Sequence, residues 1–128
     1  MRLPLFKLNN MDYKEIRQTL EEIGISAQHM GTYAQDGQCL IYDDDTDQEV
    51  ETDVIGMLKS VFGKVTIAET SYFHDGYECW CIYSFHDHDV HMKYSSYFSS
   101  YDTTEWEDSS CEEVIPEQKM VTVFSAKK

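Results

Sequence analysis

Positive charge is scarce in this chain and unevenly placed. Between Arg17 and Lys59 there is no Lys or Arg at all, and between residues 65 and 118 Lys93 stands alone against 12 carboxylates. In total 24 acidic residues face 10 basic ones, a formal charge of −14. Such a surface repels phosphate, which excludes direct nucleic-acid binding unless a metal intervenes, and it attracts a basic partner. Long apolar runs are missing too. Nothing approaches the roughly 18 consecutive apolar residues of a membrane span, and the opening Met1-Arg-Leu-Pro-Leu-Phe-Lys7 lacks the extended apolar region of a secretory signal. A soluble, cytoplasmic protein with no membrane partner is expected.

A cysteine framework is also lacking. Cys39, Cys79, Cys81 and Cys111 are scattered, which in a chain without a secretory signal reads as reduced thiols. Cys79 and Cys81 sit two apart on a strand, roughly 6.6 Å from each other along its rise, so they do not readily pair. There is no Gly-x-Ser-x-Gly elbow, no P-loop and no dinucleotide fingerprint. No cysteine has the basic neighbours that favour a thiolate. The chain therefore reads as a non-enzyme that needs no cofactor. Internal repeats and low-complexity tracts are missing, and 128 residues at 41% hydrophobic content bound the answer to one domain, residues 1–128, with a single core.

What is present is organised around residues 72–106. Tyr77-Glu-Cys-Trp-Cys-Ile-Tyr-Ser-Phe85 alternates at period two, and after His86-Asp-His-Asp89 the alternation resumes in Val90, Met92, Tyr94, Ser96 and Phe98. Pairing Phe85 with Val90 makes Tyr83 the neighbour of Met92 and Cys81 the neighbour of Tyr94, an apolar hairpin face that needs a cover. Asp12 and Glu15 have capping-box spacing before Tyr13, Ile16, Leu20 and Ile23, with Gly24 as the stop. Residues 25–33 and 38–42 flank Ala34-Gln-Asp-Gly37, whose Asp-Gly dipeptide predicts a second, smaller hairpin. Thr46 and Glu49 form another capping box, leading into a helical stripe of Val50, Val54, Met57, Leu58, Val61 and Phe62 that stops before Gly63. Residues 64–73, 103–107 and 120–124 have strand character, whereas 108–117 reads as a polar loop. The expected fold class is α+β: an antiparallel sheet of five to seven strands with two helices packed on one face.

Two constellations stand out. His86, His88 and His91 with Asp87 or Asp89 offer imidazole and carboxylate ligands for a transition metal, the chemistry of a metal-binding protein or a metal-dependent hydrolase. Against that, His and Asp are ordinary turn residues, and alternation puts His91 beside Ser84, on the face opposite Cys79 and Cys81. The second constellation is acidic. Asp43, Asp44, Asp45 and Asp47 precede the expected second helix, where carboxylates complement the helix dipole. Glu105, Glu107, Asp108, Glu112 and Glu113 fall in a strand and loop that have no such dipole. Carboxylates two apart on one strand face stand roughly 6.6 Å apart, a spacing of the order of successive nucleic-acid phosphates. These nine residues are the candidate partner-binding patches.

Three stretches resemble small acidic proteins encoded by tailed bacteriophages, over about residues 80–125. They are Phe85-His-Asp-His-Asp-Val-His-Met-Lys93, Tyr97-Phe-Ser-Ser-Tyr-Asp-Thr-Thr-Glu-Trp106, and Val114-Ile-Pro116 followed by Lys119-Met-Val-Thr-Val-Phe124. The resemblance brings no catalytic residue with it. It implies a setting in a bacterial host, where such proteins act on host enzymes, sometimes by imitating the charge of nucleic acid. The functional expectation is a phage-type inhibitor, a small interaction module that binds a basic, nucleic-acid-binding surface of a host defence or DNA-processing protein. A structural accessory protein and the metal-binding protein are the alternatives.

Overall fold

Asp12 opens the first helix as the spacing requires: its side chain accepts the Glu15 N–H at 2.8 Å while Glu15 accepts the Asp12 N–H at 2.9 Å. The resulting helix α1, Tyr13–Glu22, buries Ile16 and Leu20. The computed structural model describes residues 10–71, 78–99, 103–104, 106, 109–118 and 122–127.

The chain then departs from the expected small hairpin. Residues 25–33 do not form a strand; Ala27–Asp36 is a second helix, α2. Ser26 caps it, with the Ser26 N–H donating to His29 Nδ1 at 3.1 Å and the His29 N–H donating to Ser26 Oγ at 3.3 Å. Gly37 closes it at φ 76°, its N–H bonded to the Tyr33 carbonyl at 2.8 Å. A left-handed glycine is what a helix C-terminus and a tight hairpin turn both demand, so Asp36-Gly37 carried either reading.

The hairpin lies one step later. Strands β1, Cys39–Asp43, and β2, Gln48–Thr52, pair antiparallel as a separate two-stranded sheet, with Leu40 opposite Glu51, Ile41 opposite Val50 and Tyr42 opposite Glu49. Thr46 and Glu49 consequently cap nothing: Thr46 lies in the turn and Glu49 in a strand. Helix α3, Val54–Phe62, starts instead from Asp53, which accepts the Gly56 N–H at 3.1 Å. Val54, Leu58 and Phe62 form its buried stripe.

The main sheet has the order β3–β4–β5, from β3 (Val65–Thr70), β4 (Glu78–Phe85) and β5 (Val90–Ser99). Phe85 faces Val90, Tyr83 faces Met92 and Cys81 faces Tyr94, the register read from the alternation. On β5, the edge away from β4 is shared by β6, Thr103–Thr104, and β7, Ser110–Val114. The stretch expected to be a polar loop thus contains a strand. Residues 122–127, half of them expected to finish a last strand, form none, and Val123 and Phe124 are exposed. Met120 and Val121, like residues 1–9, the end of the expected 64–73 strand at 72–73, and residues 74–77, lie outside the described residues.

Among the described residues the architecture is therefore three helices with two antiparallel sheets, not two helices on one sheet of five to seven strands. Cys79, Cys81, Tyr83, Phe85, Val90, Met92 and Tyr94 turn inward from the main sheet onto Ile16, Leu20, Met30, Val54, Leu58 and Phe62. Burying an aliphatic or aromatic side chain of this size contributes about 1.5–3 kcal/mol. One buried polar contact fixes the middle helix to the sheet: the Tyr83 hydroxyl donates to the Met30 carbonyl at 2.7 Å.

Candidate interaction surface

The acidic run at residues 43–47 forms the turn of the β1–β2 hairpin and not a helix entry. Asp43 builds the turn, accepting the Asp45 N–H at 3.0 Å and the Thr46 hydroxyl at 3.3 Å through its carboxylate. Asp47 takes a left-handed backbone, φ 56°, and accepts the Tyr42 hydroxyl. That bond raises the hydroxyl's pKa above its ordinary value. The side chains of Asp44 and Asp45 have no hydrogen-bond or ion-pair partner among the described residues, and both are exposed.

Along the same hairpin, cross-strand neighbours share a face. Leu40 and Tyr42 therefore lie with Glu51 and Glu49 on the face turned away from buried Cys39, and they are 55% and 54% exposed. Apolar and carboxylate side chains alternate there with no cation between them. Beside this face, Leu40, Glu49 and Glu51 with Asp36, His29 and Thr32 of α2 line a groove of about 460 Å³. Burial lowers the pKa of His29, which keeps this imidazole from adding positive charge to the groove. Nearby, the Tyr33 hydroxyl donates to Asp53 at 3.0 Å and ties α2 to the start of α3, while the groove's carboxylates, Asp36, Glu49 and Glu51, are exposed.

The second predicted patch divides. Glu105, Glu107 and Asp108 lie outside the described residues. Glu112 and Glu113 are exposed on β7, and Glu112 is directly across from Lys93, whose ammonium lies 4.9 Å from the Trp80 ring centroid. A cation therefore neighbours this patch, unlike the hairpin. Leu40, Tyr42, Glu49 and Glu51 were not among the nine residues singled out from the sequence. The signal was present in the alternation of 39–43 and 48–52, once both are read as strands.

The histidines have separate duties. Residues 86–89 form the β4–β5 turn, which folds onto the C-terminal end of α3. The His86 N–H donates to the Lys64 carbonyl at 2.9 Å, and the Lys64 N–H donates to the Asp87 carboxylate at 3.1 Å. His88 bridges two segments: Nδ1 accepts the Met11 N–H at 3.1 Å while Nε2 contacts the Phe62 carbonyl at 3.0 Å, a pair satisfied by the tautomer protonated on Nε2. His86 Nε2 lies 2.8 Å from the Thr66 hydroxyl, and His91 Nδ1 lies 2.7 Å from that of Ser84, with Asp89 3.6 Å from its other nitrogen. Among the described residues no three His, Cys, Asp or Glu side chains converge as a metal site.

The thiols follow burial. Cys39, Cys79 and Cys81 are buried, Cys111 is partly exposed, and none of the four is in a disulfide. Burial pushes the Cys81 thiol up to about 12, with Cys111 adding to the shift. No helix among the described residues is long and apolar enough to cross a membrane. No protein-family model, no curated protein and no solved structure matches the chain.

Proposed function

We propose that this protein is an interaction module that binds a basic protein surface, and that the β1–β2 hairpin is its contact element. The observation that carries this reading is the solvent face of the hairpin, where Leu40 and Tyr42 stand exposed beside Glu49 and Glu51 with Asp44 and Asp45 at the tip. Exposed apolar side chains supply contact area that a solubilising charged surface does not need, and aromatic residues are enriched at protein interfaces. Carboxylates around them steer a basic partner and set a salt-dependent association rate. The resemblance to phage proteins supplies the setting. The partner is then a nucleic-acid-binding host protein of defence or DNA processing, met on its basic face.

The test is capture from bacterial lysate on the immobilised chain at low and high salt. The parent should retain a basic protein at low salt and release it at high salt. The variant Asp44→Asn, Asp45→Asn, Glu49→Gln, Glu51→Gln should lose that protein at low salt, and Leu40→Ser should weaken its retention at low salt. Retention that ignores both salt and the four substitutions would end the proposal.

A further inference from the structure

Away from the hairpin, α1, the α1–α2 turn and β7 enclose an open cleft of about 790 Å³, a volume within the range of small-molecule sites. Its floor is apolar, made by the buried side chains of Leu20, Ile25 and Tyr94. One wall carries two groups able to hydrogen-bond, the Tyr13 hydroxyl and the Cys111 thiol, 3.5 Å apart, with the hydroxyl also 3.2 Å from the Cys111 carbonyl. Burial and Cys111 together push the Tyr13 hydroxyl up to about 12, so it stays a neutral donor.

The rim carries more positive than negative charge. Lys14 and Arg17, two of only 10 cations in the chain, line this cleft one turn apart on α1. Neither has a carboxylate within ion-pair distance among the described residues, although the chain has 24. Arg17 rests on Tyr13, its Nη1 3.4 Å from the hydroxyl and its guanidinium carbon 5.6 Å from the ring centroid. Glu21 is the single carboxylate in the lining, against those two cations. The hairpin's charges do not cancel this locally, because exposed charges more than about 8 Å away are largely screened at physiological ionic strength.

We propose that this cleft binds a small amphipathic anion, with an apolar body on Leu20, Ile25 and Tyr94 and one carboxylate or sulfonate head group on Arg17 and Lys14. A guanidinium fits a carboxylate through paired N–H donors, and the adjacent ammonium adds charge without demanding geometry. This site uses none of the hairpin residues, so its test is independent of the interaction reading.

Cys111 is a built-in reporter, the one partly exposed cysteine of four. The rate at which a maleimide labels the native full-length chain is measured with octanoate, with octanol, and with anilinonaphthalene sulfonate, whose fluorescence is followed in parallel. At least one of the two anions should slow labelling in a saturable way, and octanol should do so far less at the same concentration. Which anion succeeds tells whether the body is aliphatic or aromatic. The double variant Lys14→Gln, Arg17→Gln removes both charge-assisted contacts and should raise the half-saturating concentration about tenfold or more. Its melting curve should match the parent's, since both side chains are exposed. Labelling indifferent to both anions, equal protection by octanol, or undiminished affinity in the double variant would each overturn the proposal.

Discussion

Trp106 fills the space that any side chain on Gly31 would need: a Cβ there would lie 2.1 Å from Cδ2 of the indole. The same indole donates through Nε1 to Gln35 at 2.7 Å, one turn along α2. Gly31→Ala should gain about 1 kcal/mol of helix propensity and lose about 1–3 kcal/mol to overpacking, since the clash is with a buried ring. A net fall in the urea midpoint is expected. Trp106→Leu in the same chain should make the alanine neutral or favourable, and a double-mutant cycle with no coupling would refute the contact.

The turn that clamps α3 is expected to matter for stability. His88→Ala removes an acceptor for the Met11 N–H and a donor for the Phe62 carbonyl, so it should cost about 1–3 kcal/mol in chemical denaturation. Asp87→Ala should cost less, because the Lys64 N–H it leaves is exposed to water. Hydrogen exchange should show the His88 change loosening amides at both residue 11 and the last turn of α3. Loss at one end alone would contradict the bridge.

Stability should depend on pH through His29. Burial lowers its pKa in the folded state below the usual 6.5, and the Ser26 N–H needs Nδ1 as an acceptor. The folded chain therefore binds fewer protons than the unfolded one as pH falls. The contribution is fully present above about 6.5, the ordinary histidine value, and is lost as pH drops through the lowered folded value. His29→Gln keeps a capping-box residue and removes that titration. Urea midpoints measured from pH 8 to 5.5 should converge as pH falls, with the parent losing more than the variant.

Within the acidic turn the carboxylates should separate by role. Asp43→Ala should cost about 1 kcal/mol, because its side chain holds Asp45 and Thr46. Asp44→Asn and Asp45→Asn should be neutral or slightly stabilising, since they hold nothing and relieve repulsion. Thermal melts of the three single variants check this ordering. Equal melting of all three would mean that the turn does not depend on Asp43.

The central hairpin and α1 were legible because each rests on patterns closed within a few residues: period-two alternation around residues 86–89, and the Asp12/Glu15 box. The α3 stripe was legible too, though the Thr46/Glu49 spacing points to an earlier start than Asp53, which does the capping. Residues 27–36 were not legible. Ser26 and His29 form a capping box in which histidine replaces the usual Glu or Gln, and the partner that makes Gly31 fit a helix, Trp106, is far along the chain. Strand β7 escaped for another reason: as an edge strand it turns Glu112 and Glu113 to water and so reads as a loop. The histidine turn hid its purpose, since most of its partners are main-chain groups, those of residues 11, 62 and 64, beside the Thr66 hydroxyl.

The separateness of the β1–β2 sheet has a thermodynamic consequence. A two-stranded ribbon is at best marginally stable by itself, and among the described residues neither outer edge of this one is paired. Its order is borrowed from Cys39 and Ile41, the side chains it sets against the core. Such a unit opens locally at a free energy below that of global unfolding. The affinity of any partner for the closed ribbon is then scaled by the fraction of molecules in which it is closed, and a substitution at Cys39 could weaken recognition from beneath the surface without touching a contact residue.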